Sequence, residues 1–309
     1  MQTDPKKPRT TPKNTYYDQP AIKPPDWGWA VIGYLWVGGI GAGAFVASTL
    51  ATLRGGRGDR QIAKLGFSIS AVAMGASAPL LISHLGRPAR FHHMLRLFKP
   101  SSPMNAGVWG MTALSGMSVL TAAANLAGAG PATRTILALA GLPAALFVGT
   151  YTGVLLGHSS IPLWAASPLL PAVFASSAMA TGTASISLFA EIFSVGPTTA
   201  RKRLAAAERM ASAAEALALA AWLKDTGEFA KPLFEPPLKD VFERGALGAG
   251  VAAPLALPST RSSSLWDVVK PMLVLAGGLA LRYALIEGGR RSSKDPEAYL
   301  EFTSKPPRS

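Results

Sequence analysis

Residues Ala30 to Leu53 run for 24 positions without a single charged side chain. A helix needs about 20 apolar residues to cross the hydrocarbon core of a bilayer, so this run is long enough to span one. Inside it, Gly39-Ile40-Gly41-Ala42-Gly43-Ala44 can be read in two ways. As G-x-G-x-x-A it matches a dinucleotide-binding turn. That turn must follow a short strand, open an amphipathic helix and be answered by an acidic residue about 20 positions on. Asp59 stands at that distance, but it lies in the charged stretch RGGRGDRQ, and no turn signal separates the glycines from the apolar residues before them. As small-xxx-small, Gly39 and Gly43 share one helix face and allow close approach of a second membrane helix. The second reading fits the whole run, and the segment is read as a transmembrane helix.

The rest of the sequence repeats that pattern. Apolar stretches recur at Gly66–His84, Met104–Leu126, Thr135–Leu156, Pro168–Phe193, Ala205–Leu223, Asp240–Leu257 and Trp266–Ile286. The expected fold is therefore all-α, a polytopic integral membrane bundle of about eight transmembrane helices. The sixth and seventh stretches are the most polar, carrying Glu208, Arg209, Glu215, Glu243 and Arg244. A polar tail is expected over residues 1–26, the spanning domain over 27–289 and a second polar tail over 290–309. The first tail has no apolar core of the kind a cleaved signal peptide needs. Charged residues make up 15% of the protein, against about 25% in soluble domains, and they collect in tails and loops. The net charge of +13 is thus assigned to topology and anionic headgroups rather than to nucleic acid. An even span count puts both termini on one side. The tails and loops of that side hold 17 Lys and Arg against 11 opposite, which makes it the cytoplasmic face by the positive-inside rule. Most of the seven tryptophans lie near span ends and are read as interfacial belt residues. With no cysteine, the protein can hold neither a disulfide nor a thiolate-bound cluster.

Three constellations could carry chemistry. After His84 a basic, aromatic loop holds Arg87, Arg90, His92, His93, Arg96 and Lys99, and Ser101-Ser102-Pro103 then starts the next helix with a hydroxyl available to cap it. This loop is either a topology signal or a docking rim. Further on, Tyr151 and His158 are seven residues apart, two helical turns, and the expected topology brings His158 to the same face as His84. A phenol and an imidazole at the edge of an apolar pocket suit a quinone, whose carbonyls need donors and whose ring needs apolar walls. Finally, Glu191, Glu208, Glu215 and Arg282 lie in or near spans, where charge pairs with charge or lines a wet path. Arg282 with Glu215 is one such pairing, and Glu208 with Arg203 or Arg209 another. No two histidines sit mid-span to clasp a haem, and no metal site is expected.

The segments GYLWVGGIGAGAF, HLGRPARFHHMLRLFKPSSPMNAGVW, YTGVLLGHSSIPLWAASPLLPAVFASSAMATG and LALRYALIEGG resemble, in order, the NrfD/polysulfide-reductase membrane-subunit family. The resemblance covers most of Trp29 to Gly289. It implies a membrane subunit without its own metal or haem that exchanges electrons between a quinone pool, menaquinone or ubiquinone, and a docked iron–sulfur subunit. A catalytic subunit beyond that one, of a molybdopterin, formate dehydrogenase-like kind, is implied as well. Tyr151 resembles the family's tyrosine near the quinone headgroup, Arg282 its last-span arginine, and Gly86, Arg87 and Pro88 its loop. Many members have an acidic residue where this protein has His84. The family's polar residue early in span one finds no counterpart between Trp29 and Gly38.

The sequence thus assigns Tyr151, His84 and His158 to quinone binding, and Arg87, Arg90, His92 and His93 to partner docking. A proton path falls to Glu215, Glu191, Glu208 and Arg282, in a bacterial cytoplasmic membrane. The alternative is a secondary transporter or proton-conducting protein using the same carboxylates, although the sequence lacks the internal repeat typical of such transporters.

Overall fold

The computed structural model describes residues 22–85, 88–96, 98–99, 102–257 and 264–304, and for residues 88–90 and 264 the backbone alone. Among them every regular element is helical: α1 (Trp29–Arg54), α2 (Arg57–His84), α3 (Pro103–Leu126), α4 (Pro131–Gly157), the short α5 (Pro162–Ala165), α6 (Leu170–Ile192), α7 (Thr198–Thr226), the single turn α8 (Leu238–Asp240), α9 (Ala253–Ala256), α10 (Ser264–Ser292) and α11 (Pro296–Ser304). Two 3-10 stretches, Pro88–Leu95 and Gly227–Leu233, lie between them. Six helices, α1 to α4, α6 and α10, are long and apolar enough to cross a membrane. The sixth expected span, α7, has the length at 29 residues but is loaded with charge along Arg201-Lys202-Arg203, Glu208, Arg209 and Glu215. The seventh is no α-helix. Val241–Ala252 winds as a π-helix between α8 and α9, where Gly245, Gly248 and Gly250 tolerate the wider turn. Length and apolarity therefore support six spans, with α7 and the π segment standing where the other two were expected. At the C-terminal end, α11 lies within the expected polar tail, and its Phe302 meets Phe229 edge to face at 5.8 Å.

Local chemistry explains the ends. Ser102 accepts from the Asn105 backbone N–H at the start of α3, with Pro103 in the first turn, as the sequence pattern suggested. Pro131 and Pro162 open α4 and α5 in the same way. Gly55 closes α1 at φ +76°, a left-handed conformation that a side chain would strain.

The helix α1 lies at the centre and touches α2, α4, α6 and α10. Its glycines make that possible. A Cβ on Gly43 would land on the Ala178 carbonyl of α6, and one on Gly182 of α6 would land on the backbone of Gly43 and Ala44. The two main chains thus lie against each other with no side chain between them, which answers the G-x-G-x-x-A question in favour of helix packing. Hydroxyls hold the neighbouring contact: Ser70 of α2 donates to the Gly41 carbonyl at 2.8 Å and meets Ser118 of α3 at 2.9 Å. The outward surface is the reverse of a soluble protein's, with Leu50, Val72, Leu120, Ile136 and Leu217 exposed and serine and threonine buried.

Trp29, Trp109 and Trp266 are exposed, as belt residues would be, but other tryptophans are not. Trp164 and Trp222 are fully buried. Trp164 stacks on Trp27 and donates from Nε1 to the Leu285 carbonyl of α10 at 2.8 Å, while Trp36 donates to the Leu275 carbonyl at 3.1 Å. These indoles lock loop and helix onto α10, a role that position in the sequence does not reveal. Trp164→Phe is expected to cost about 1 kcal/mol, the net worth of one buried hydrogen bond. It should lower the thermal midpoint of the detergent-solubilised protein by a few degrees without changing its assembly.

Candidate functional site

Six residues into α1 and six before the end of α4, two phenols meet. Tyr34 and Tyr151 line one cleft with Leu35, Gly38, Gly39, Met111, Val148 and Thr152. Tyr151 is 7% exposed and Tyr34 8%. The Tyr151 ring stacks on Phe147 at 5.4 Å and rests against Gly107 of α3, where any Cβ would overlap its ring and hydroxyl. The Tyr34 carbonyl accepts from Ser77 of α2 at 3.2 Å. The cleft is narrow, with a volume of only about 10 Å³.

His84 ends α2 seven residues after Ser77, so it lies about 10 Å further along the face that meets Tyr34. It is half-buried and is not among the residues that line the cleft. His158 goes elsewhere. It follows the last turn of α4, is exposed, and its Nδ1 sits 2.8 Å from the Val154 carbonyl. It stands two turns beyond Tyr151 as the C-cap of α4 and is not among the residues that line the cleft.

Below the phenols lies a buried charge. Arg282 of α10 is 1% exposed and donates from Nη1 to Ser177 Oγ of α6 at 2.5 Å and to the Gly278 carbonyl at 2.9 Å. Its guanidinium sits 5.8 Å over the Phe174 ring and fills the space that a side chain at Gly39 would need. Glu215 of α7, 3% exposed, lies within side-chain hydrogen-bonding reach of the same Ser177. Arg282 and Glu215 thus form no direct ion pair among the described residues, and both face the Ser177 hydroxyl, which accepts from the guanidinium. Arg282 and Glu215 stand 10 and 11 residues from the ends of their helices, a depth of about 15 Å, near the middle of a bilayer.

Glu215, Ser212 and Glu208 share one face of α7 at spacings of three and four. Glu208 and Ser212 line a second cavity of about 60 Å³ at the far end of the bundle, with Ser187, Glu191, Arg201, Asp267 and Lys270. The Ser212 hydroxyl is buried there without a partner among the described residues, and Ser187 stands beside Glu208. Arg203, one of the two partners suggested for Glu208, is engaged elsewhere. It binds the buried Asp59 at 2.9 Å, and Arg201 binds Glu191 at 2.9 Å.

On the docking loop, Arg87 lies outside the described residues, as does the side chain of Arg90. His92 and His93 are exposed in the 3-10 stretch, with ring centroids 4.3 Å apart. Asn105 of α3 pins this loop, donating to the Met94 carbonyl at 2.9 Å and accepting from the Lys99 N–H at 2.7 Å. Sequence reasoning passed over Asn105, Tyr34, Gly107 and Ser177. Only Tyr34, a phenol in an otherwise apolar run, carried a signal that could have singled it out.

Comparison with known proteins agrees with this architecture. The protein is 28% identical over 302 residues to the C chain of the polysulfide reductase of Wolinella succinogenes, an alignment covering 85% of this sequence and 94% of the relative. The family described as Polysulphide reductase, NrfD, matches residues 21–291, which takes in the whole bundle from the segment before α1 to the penultimate residue of α10. A match over that much of its length makes this helical membrane protein a member of the NrfD family.

Proposed function

We propose that the protein is the membrane subunit of a multi-subunit redox complex and exchanges electrons between a quinone pool and a docked iron–sulfur subunit. The observation that carries this reading is the pair of buried phenols, Tyr34 and Tyr151, brought from two helices to one apolar cleft above a buried arginine. The chemistry of the set suits a quinone headgroup. Two hydroxyls are available to its carbonyl oxygens, Leu35, Met111 and Val148 offer apolar walls, and His84 at the end of α2 can take a proton. A quinone bound there would supply two-electron, two-proton redox chemistry. Seating one requires this narrow cleft to widen. The quinone is of the menaquinone or ubiquinone type. His158 is given no contact with it, because it is committed to the end of α4.

The basic loop carrying Arg87, Arg90, His92 and His93 serves as the docking rim for the iron–sulfur partner, since it adjoins the His84 end of α2. By its name, the Wolinella relative is one component of a polysulfide reductase, which supports placing this protein in an assembly of several subunits. A molybdopterin, formate dehydrogenase-like catalytic subunit stands beyond the partner in this reading, and the complex faces the cytoplasm from a bacterial inner membrane. Glu215, Ser212 and Glu208 form a file of polar groups from the arginine to the far cavity, supporting a proton path along α7 that Glu191 and its partner Arg201 flank.

Tyr151→Phe tests the reading. Loss of one hydroxyl that bonds the headgroup is expected to slow quinol-dependent turnover of the intact complex by about tenfold or more. Assembly with the other subunits and the thermal midpoint should stay as in the parent. Unchanged turnover with any added quinone would remove the Tyr34–Tyr151 cleft from the reaction.

A further inference from the structure

A groove of about 630 Å³ runs along the outside of the bundle between α1, α6 and α7, far from the phenol cleft. Alanines make nearly half of its wall, among them Ala47 and Ala51 of α1, Ala172 and Ala175 of α6, and Ala207 and Ala214 of α7. One end is different in kind. There Arg54 in the last turn of α1 and Arg203 of α7 stand at the mouth, with Asp59 between them. Asp59 is 5% exposed and is engaged by Arg203 Nη1 at 2.9 Å, so the mouth keeps one net positive charge. The exposed Arg57, Arg60 and Lys202 surround it and raise the local potential further.

From this combination we infer that the groove is a binding site for one anionic glycerophospholipid, with the phosphate at Arg54 and Arg203 and an acyl chain lying along the alanines. Dimensions favour a hydrocarbon chain. From Arg203 to Ala218, the last α7 residue of the wall, is 15 residues, or about 22 Å along the helix axis. The volume spread over that length gives a cross-section of about 30 Å², whereas an α-helix with its side chains, about 10 Å across, needs about 80 Å². A fatty chain fits that slot, and a partner's transmembrane helix would ride on top of it. Water is no tenant for an alanine wall that opens to the bilayer, because such a wall provides no hydrogen bonds. Charge selects the headgroup. Near a membrane surface each arginine contributes attraction to an anionic lipid, and the two here stand where α1 ends and α7 begins, at interface depth.

The test uses the full-length protein, with whatever subunits remain attached, delipidated in mild detergent and titrated with dioleoyl phosphatidylglycerol or dioleoyl phosphatidylethanolamine. Native mass spectrometry is expected to show one tightly held lipid and a preference for the anionic headgroup of about fivefold or more. Arg54→Gln should erase most of that preference while leaving the Asp59–Arg203 pair intact. Ala207→Leu with Ala214→Leu, which fills the slot from partly open positions, should weaken both lipids alike. A photoreactive group at the end of the acyl chain should label α7 between Ala207 and Ala218. Equal retention of the two lipids, an unaltered preference in Arg54→Gln, or labelling away from α7 would each overturn the assignment. So would a transmembrane polypeptide found cross-linked in the groove.

Discussion

Gly43→Val is expected to leave almost no folded protein in the membrane. The Cβ of any residue there would sit on the Ala178 carbonyl, an atom of main chain that cannot rotate aside. Relief requires α1 and α6 to separate, and four residues along α6 from that carbonyl Gly182 presses on Gly43 and Ala44 in the same manner, so the whole contact must open. Overpacking usually costs about 1–3 kcal/mol because side chains adjust. Here nothing can adjust, and a loss above about 4 kcal/mol would consume much of the 5–15 kcal/mol that holds a typical domain together. The same movement would pull Gly39 from the Arg282 guanidinium, so the site would go with the fold. Recovery of monodisperse protein after mild detergent extraction checks this, with Gly116→Val as the control. Gly116 has nothing within 4 Å of its Cβ position, and that variant should be recovered and melt as the parent does. Equal recovery of the two variants would refute the backbone contact between α1 and α6.

Which parts of this architecture were legible in the sequence follows from how far apart the interacting groups lie. The charge-free run Ala30–Leu53 is a property of consecutive residues, and α1 covers it. The Ser102–Pro103 start of α3 is equally local. Gly39 and Gly43 announced a close helix contact but not with which helix, because the partners Ala178 and Arg282 lie more than a hundred residues on. The site divides along the same line. Tyr151 and Arg282 were noticed as polar groups in apolar surroundings. Ser177, which joins Arg282 to Glu215, is hidden in a run of serines and alanines where any hydroxyl could equally bond its own helix, as Ser176 does by donating to Ala172. For His158, spacing in sequence could not show that the residue caps α4 with its ring nitrogen against the Val154 carbonyl. Asp59 was weighed only as the acid of a nucleotide turn, while its partner Arg203 is 144 residues away. The π-helical segment was beyond reach, since glycine-rich apolar sequence fits an α-helix as well.

Removing either end of the Glu215–Ser177–Arg282 bridge alone is expected to be far more damaging than removing both. Glu215→Leu leaves a guanidinium at 1% exposure with only Ser177 and the Gly278 carbonyl to face, and an Nε that already lacks a partner. Arg282→Leu leaves a carboxyl at 3% exposure beside one serine. Breaking a buried pair in this way costs about 3–5 kcal/mol, because the surviving group stays desolvated and unanswered. Replacing both with apolar residues of similar size removes the two desolvation penalties together, so the double variant should be more stable than either single one. Thermal unfolding of the four proteins in one detergent measures the coupling. Additive losses would mean that the two groups do not communicate through Ser177. Turnover with quinol separates structure from chemistry. A purely structural bridge would let the double variant work as well as it folds, whereas the arginine beside Gly39, at the floor of the Tyr34–Tyr151 cleft, is expected to be needed in its own right. The double variant should therefore fold, dock its partners and turn over quinol at least about tenfold more slowly, a loss of about 1.4 kcal/mol in transition-state stabilisation.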